Sequence, residues 1–297
     1  MEKLKIGVIG LNEGNGHPYS WSAIFNGYDS GHMEKCPFPA IPQYLAQQNF
    51  PKDGLGHLGQ VTNIWTQDKK ISEAVALASK INNISNTIKE LVTNVDAVLL
   101  ARDDAEHHYD MAIEVLNAGI PVFIDKPLAL TTALANKIIN AQKYNNQVFT
   151  CSSSRYAQEL QLTVLEKETI GEIKLIEGSI SNKWNTYAIH LIEPIIMQIP
   201  NRGKLKNVSK FFKNGIKVVF IEWENVSAYL KVTGSIPCPY KIDFFGQTGY
   251  IEKSYSDSFN AFKSTLEQFI MGIKNNTPII NRNETLEIIE ILEKGSS

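Results

Sequence analysis

The sequence predicts an α/β first part, built on a parallel sheet covered by helices on both faces, and an α+β second part built on a mostly antiparallel sheet. Three observations carry this reading. Short β-rich apolar runs alternate with amphipathic helical patterns as far as about Thr150. Strand-like runs separated by turn signals dominate from Ile173 to Lys253, and two helical patterns close the chain. The 297 residues suit roughly two domains at about 150 residues each.

Taken in order, Lys5 to Ile9 reads as a buried strand, Val61 to Thr66 as a second, Asp96 to Ala101 as a third and Pro121 to Asp125 as a fourth. The helix after the third carries Met111, Val115 and Ala118 on one face, and the helix after Leu130 carries Leu134, Ile138 and Ala141. Strands alternating with helices in this way need right-handed crossovers, hence parallel pairing. Beyond Thr150, Val218 to Trp223, Ser227 to Val232 and Lys241 to Phe245 read as strands, with turns at Lys213-Asn214-Gly215 and Gln247-Thr248-Gly249. Phe262, Leu266, Phe269 and Ile273 mark one closing helix, and Glu284 to Glu293 another.

Composition narrows the function classes. Lysine and arginine (29) nearly balance aspartate and glutamate (31), and no basic run could follow a phosphate backbone, so nucleic acid is not expected as a partner. No apolar run approaches the ~18 residues that span a bilayer, so no membrane partner is expected either. Cys36, Cys151 and Cys238 form neither a paired metal-ligand spacing nor an even disulfide set, which points to a reducing, cytoplasmic setting. Tyr28 to Gln60, rich in proline, is far longer than a compact α/β unit needs between its first helix and second strand. It reads as an inserted loop that docks through Phe38, Ile41, Tyr44, Leu45 and Phe50 as a lid. The spacing of its His32, Cys36 and His57 matches no zinc site, and no metal is assigned.

The first strand runs into Gly10-Leu11-Asn12-Glu13-Gly14-Asn15-Gly16, with a helix expected to start near Ser20. Glycines at such a turn let backbone N–H groups approach a pyrophosphate, whose charge the helix N-terminus favours. Asn12 and Asn15 stand where G-x-G-x-x-G requires glycine, so dinucleotide binding competes here with a generic glycine-rich turn. At the end of the second strand Thr66 occupies the place of a ribose-binding acid. Lys69 and Lys70 either face the 2'-phosphate of NADP or are two solvated surface lysines.

Val95 to Ala101, His107-His108, and then Ala118 to Thr131 with Asp125-Lys126-Pro127 at the end of a strand together resemble the glucose-fructose oxidoreductase / inositol dehydrogenase / rhizopine-catabolism (Gfo/Idh/MocA) family. The signature there is Glu-Lys-Pro, of which Asp125-Lys126-Pro127 is an acidic variant. The resemblance extends over nearly the whole chain. It implies an N-terminal Rossmann-type domain at 1–127, with the inserted loop at 28–60, and a substrate and oligomerisation domain at 128–297. It also implies NAD or NADP on the first domain, contacted by Gly10, Asn12, Gly16, Thr66, Asp125 and Lys126, and a sugar, cyclitol or related polyol against the second. Lys126 would hydrogen-bond the reacting hydroxyl.

Tyr187 to Pro194 resembles the family's catalytic helix, Asp-x-Gly-x-His-x-x-Asp, with His190 as the proton-transfer histidine and Glu193 as the later acid. Thr186 stands where the first aspartate would be, so either Tyr187 or a group from the insertion compensates, or the chemistry is weaker or different. Arg155, Thr186 and Glu193 are the expected substrate contacts. The run Arg102-Asp103-Asp104-Ala105-Glu106 replaces the usual Thr-Pro turn, so its carboxylates either repel a pyrophosphate or bind a substrate hydroxyl. The expected activity is hydride transfer between a nicotinamide and a secondary alcohol of a sugar-like small molecule, by a homodimer or homotetramer. The alternatives are a cofactor-holding sensor without turnover and a redox-assisted lyase or glycosidase.

Overall fold

The computed structural model describes residues 3–296, which divide into two compact units. Among the described residues the first comprises 3–129, 133–150 and 262–281, and the second comprises 130–132, 151–261 and 282–296.

The first unit holds a six-stranded sheet of β1 (Leu4–Ile9), β2 (Gly59–Trp65), β3 (Asn83–Ile84), β4 (Ala97–Leu100), β5 (Val122–Ile124) and β6 (Val148–Phe149), in the order β3-β2-β1-β4-β5-β6. Every pairing is parallel. Helices on both faces explain why β4 and β5 are buried at every position rather than alternating. The strand order reverses between β1 and β4, so a crevice opens outside their carboxyl ends, where ligands bind in folds of this kind. The expected boundary after residue 127 shifts because β6 pairs with β5 and so draws the segment up to Thr150 into this unit.

Helix α1 (His17–Asn26) starts three residues before the expected Ser20, because Pro18 suits a first turn and has no N–H to lose. Pro18 to Phe25 are buried all round the helix. The sheet covers one side of it and the 28–60 insertion the other. That insertion folds into α2 (Ser30–Met33) and α3 (Ala40–Leu45) and buries Met33, Ile41, Leu45 and Leu55. Leu55 donates its N–H to the Ile24 carbonyl at 2.8 Å, and Tyr44 hydrogen-bonds Ser20. The segment is therefore docked through much of the predicted apolar set. Beyond it follow α4 (Lys69–Ala78), α5 (Ile88–Val92), α6 (His108–Asn117) and α7 (Thr132–Asn140). The buried faces of the last two differ from the expected ones. α6 buries His108, Ala112, Val115 and Leu116 and ends before the exposed Ala118, while α7 buries Ala135, Ile138 and Ile139.

The second unit begins its regular structure with α8 (Val164–Ile170), whose Thr163 and Glu166 form a capping box. Its sheet has the order β12-β11-β7-β10-β9-β8, from β7 (Ile173–Ile180), β8 (Leu205–Lys213), β9 (Ile216–Trp223), β10 (Ser227–Val232), β11 (Lys241–Gly246) and β12 (Tyr250–Ser254). Only β7 and β10 pair in parallel. Alternation along β10, with Ala228, Leu230 and Val232 buried, sets one face against helices. Between β7 and β8 lie α9 (Trp184–Tyr187) and α10 (Ile189–Gln198); α11 (Ser258–Asn275) and α12 (Arg282–Ser296) end the chain. From Phe262 onward α11 belongs to the first unit.

There it helps to build an aromatic core under the end of β5. Phe123 stacks on Trp21 at 4.7 Å and meets Phe149 edge-on at 4.9 Å, with Phe269 at 5.8 Å. Phe123→Ala should cost about 3–5 kcal/mol by chemical denaturation, through lost burial plus the cavity left behind. Phe123→Leu should cost markedly less. Equal losses would mean that the ring is not the element that fills this space.

Candidate active site

In the first unit the turn after β1 meets the turn after β4 across the crevice. Gly10 permits a close approach: a Cβ there would lie 2.5 Å from Pro18 Cγ and 2.9 Å from the Ala101 carbonyl. Asn12 and Asp103 then bond each other twice, Asn12 Nδ2 donating to Asp103 Oδ1 at 2.8 Å and Asp103 N–H donating to Asn12 Oδ1 at 3.1 Å. Asn12 therefore does what a glycine in its place cannot, joining the two turns. Gln67 and Arg102 both donate to the Leu11 carbonyl, and Arg102 also holds Asp104. Burial raises the affinity of Asp104 for its proton, but hydrogen bonding and charge from Arg102 outweigh it and hold that carboxyl below its usual range.

Asp125, at the end of β5, is 1% exposed. It accepts from Asn15 Nδ2 at 2.9 Å and from the Lys126 N–H at 2.7 Å, and lies 2.5 Å from His17 Nδ1. Burial alone would push its pKa up; His17, Lys126 and Asn15 together reverse this and hold the carboxyl below its usual range. His17 is fixed on every side. Its N–H donates to Asn15 Oδ1 at 2.8 Å, its ring stacks on Trp21 at 4.8 Å, and Phe262 packs edge-on at 5.0 Å. Lys126 is buried beside it, with Nζ 3.2 Å from Asp103 Oδ2. His108 anchors the same edge between the carbonyls of Leu128, at 3.1 Å, and Arg102, at 2.8 Å.

Gly10, Asn12, Asp125 and Lys126 thus converge on one strand edge. Gly16 lies beside them but is packed under the insertion, where a Cβ would come within 2.6 Å of Phe38 and 2.5 Å of Ile41. Thr66 is turned into its own loop, its hydroxyl 2.8 Å from Ser72 Oγ and donating to the Asp68 carbonyl at 2.6 Å. That bonding ties the Thr66 hydroxyl to its own loop, where an acid was expected to face a ribose. The first turn of α1 offers few free donors, because His17 N–H is taken by Asn15, Pro18 has none and Tyr19 N–H bonds the Gly16 carbonyl. The residues nevertheless fit a dinucleotide. Gly14 has φ +81° with open space where a Cβ would be, the cations Arg102 and Lys126 flank the turn, and no acidic residue opens α1. The donors open to a phosphate here would be those of the Gly14 turn and these side chains more than those of the helix terminus.

In the second unit His190 opens α10, with Nδ1 2.6 Å from Ser152 Oγ and its ring 5.5 Å from that of Tyr187. Thr186 lies four residues before it, on the preceding short helix α9. Arg155 and Glu193, expected at a substrate, face each other instead. Arg155 Nη1 bonds Glu193 Oε2 at 2.7 Å, and its Nη2 bonds Glu284 of α12. A substrate role for either would require opening this buried ion pair. Burial pushes the Glu193 carboxyl up despite Arg155, whereas the two carboxylates hold Arg155 charged. Sequence reasoning missed His17 and Ser152. The only local signal for the first was a histidine before the proline that opens α1, and for the second a triple serine beside Arg155.

Residues 4–153, half of the chain, match the Gfo/Idh/MocA model, described as an oxidoreductase family with an NAD-binding Rossmann fold, and the chain belongs to this family. No curated protein sequence matched. Among solved structures, myo-inositol dehydrogenase from Lactobacillus casei, crystallised with NAD(H) and myo-inositol, aligns with TM-score 0.76 at 13% identity, covering 99% of this chain and 93% of that one. Myo-inositol 2-dehydrogenase from Lactobacillus plantarum aligns with TM-score 0.74 at 14% identity, covering 98% and 96%. A probable dehydrogenase from Thermotoga maritima aligns with TM-score 0.72 at 15% identity, covering 97% and 94%. These likenesses concern the fold.

The buried Arg155 pair makes a stability prediction. Arg155→Ala leaves Glu193 buried without its cation and should cost about 3–5 kcal/mol near neutral pH. A carboxyl whose folded pKa is raised supports folding when protonated and loses that support as pH rises through the raised value. The deficit should therefore shrink as pH falls toward about 5. A deficit constant across that range in denaturation curves would contradict the assignment.

Proposed function

We propose that the chain is an NAD(P)-dependent dehydrogenase that moves a hydride between the nicotinamide and a secondary alcohol of a sugar, sugar derivative or cyclitol. The observation that carries this reading is Lys126, a buried lysine at the carboxyl end of a central strand, held by Asp103 within an NAD-binding family fold. A lysine so placed is not a solvated turn residue, and its ammonium can hydrogen-bond a substrate oxygen. Gly10, Asn12, the Gly14 turn and Lys126 hold the dinucleotide at the strand edge, and Asp125 fixes the backbone of Lys126. When bound, the nicotinamide supplies the hydride acceptor or donor.

Lys126 orients and polarises the reacting hydroxyl, and His190 accepts its proton as the carbon loses hydride. Tyr187 stands against the His190 ring and packs it in place, one of the contacts that stand in for the missing carboxylate at Thr186. The cyclitol end of the substrate range draws support from the Lactobacillus casei structure, which holds myo-inositol. A cytoplasmic homodimer or homotetramer completes the reading.

Calorimetry should detect NADH or NADPH binding with Kd on the order of micromolar. His190→Ala should lower kcat by roughly 10²- to 10⁴-fold with cofactor affinity nearly intact. Lys126→Ala should impair turnover and substrate binding together. No heat with either cofactor at millimolar concentration would overturn the proposal, and cofactor binding without turnover on any polyol would leave a ligand-sensing protein.

A further inference from the structure

Pro194 lies inside α10, four residues after His190. In a helix the N–H of residue 194 would bond the carbonyl of residue 190, and proline has none to give. The orphaned His190 carbonyl is satisfied from outside the helix. Tyr240 OH donates to it at 2.6 Å and Ser154 Oγ at 2.8 Å. Burial raises the Tyr240 pKa well above its usual value, so that hydroxyl keeps its hydrogen.

The serine and ring contacts favour one arrangement of hydrogens in the rest of the cluster. Ser154 Oγ lies 2.6 Å from Ser152 Oγ, which lies 2.6 Å from His190 Nδ1. Three contacts, from Ser154 to the carbonyl, between the two serines, and from Ser152 to the ring, share two hydroxyl hydrogens. The carbonyl only accepts, and Tyr240, which also hydrogen-bonds Ser154, gives its own hydrogen to that carbonyl, so the Ser154 contact on this side is served by the Ser154 hydrogen. The Ser152 hydrogen then goes to Ser154 Oγ, and the third hydrogen must come from Nδ1. In this arrangement Ser152 Oγ donates once and accepts twice, the second time from the Ser154 N–H at 3.2 Å. The opposite tautomer leaves Ser154 unable to serve the carbonyl. Ser152 is fully buried, and its backbone N–H bonds Glu193, which Arg155 holds.

We infer that Ser152 and Ser154 are positioning residues that hold His190 in the Nδ1–H tautomer and so present Nε2 as the basic nitrogen. A relay of neutral hydroxyls thus takes over the orienting task that the family pattern gives to a carboxylate at position 186. The inference rests on the proton-transfer role proposed for His190, but the tautomer itself can be read without turnover. A ring held by a hydroxyl is oriented without the charge that a carboxylate would add beside it.

The test is ¹⁵N-histidine NMR of the full chain at about pH 8, above the ordinary imidazole range. The His190 signals are identified among six histidines by their loss in His190→Gln. Wild type should show a protonated Nδ1 and an unprotonated Nε2. Ser152→Ala should move the ring toward the Nε2–H form, and Ser152→Thr, which keeps the hydroxyl, should retain the wild-type pattern. An Nε2–H ring in wild type, or spectra unchanged in a folded Ser152→Ala, would overturn the inference. Once a substrate is in hand, Ser152→Ala should lower kcat about tenfold to hundredfold with KM within about threefold, less than the loss on removing the base itself. Absence of any turnover would count against the dehydrogenase reading while leaving the spectra to decide the tautomer.

Discussion

A single buried carboxylate ties the ligand edge of the first unit together. Asp125 accepts hydrogen bonds from Asn15, faces His17 and fixes the Lys126 N–H, so the turn after β1 and the signature lysine after β5 share one anchor. A carboxylate in an apolar setting is costly unless paired and hydrogen-bonded. Here the pairing is complete, which is why Asp125 stays ionised at 1% exposure. The turn after β4 joins the same assembly through Asp103, which bonds Asn12 on one side and Lys126 on the other.

The second unit uses a buried carboxylate to a different end. Glu193 is pushed toward its neutral form by burial, and Arg155 keeps it paired while also binding Glu284. Both are buried, but Asp125 has several donors to itself, whereas Glu193 has the Ser152 N–H and a guanidinium that it shares with Glu284, whose charge raises its pKa further. The consequence for chemistry is positional. Glu193 and Arg155 hold the serine turn, and the serine turn holds His190.

Much of this fold was legible because buried parallel strands announce themselves as apolar runs, and Lys5 to Ile9, Asp96 to Ala101 and Pro121 to Asp125 sit within a residue or two of the observed elements. β3 and β6, of two residues each, were not legible, since they exist only by pairing with β2 and β5. The boundary at 127, taken from the resemblance, falls before β6, which its pairing with β5 draws into the first unit. Lys126 and His190 entered as candidate site residues through a resemblance of motif. Arg155 and Glu193 were recognised as special, but their mutual pairing depends on residues 38 positions apart and a third partner in α12. The departures from the glycine pattern had a tertiary cause. Asn12 and Asn15 replace glycine because their side chains hold Asp103 and Asp125, which local sequence does not display.

Asp125 anchors the turns after β1 and β5 directly and the turn after β4 through Asp103, and native-state hydrogen exchange on Asp125→Ala tests this most directly. If the carboxylate joins them, amide protection should fall together in residues 10–20, 101–106 and 125–129, while the second unit keeps its protection. Loss confined to residues 125–129, with the turn after β1 as protected as in wild type, would contradict the claim.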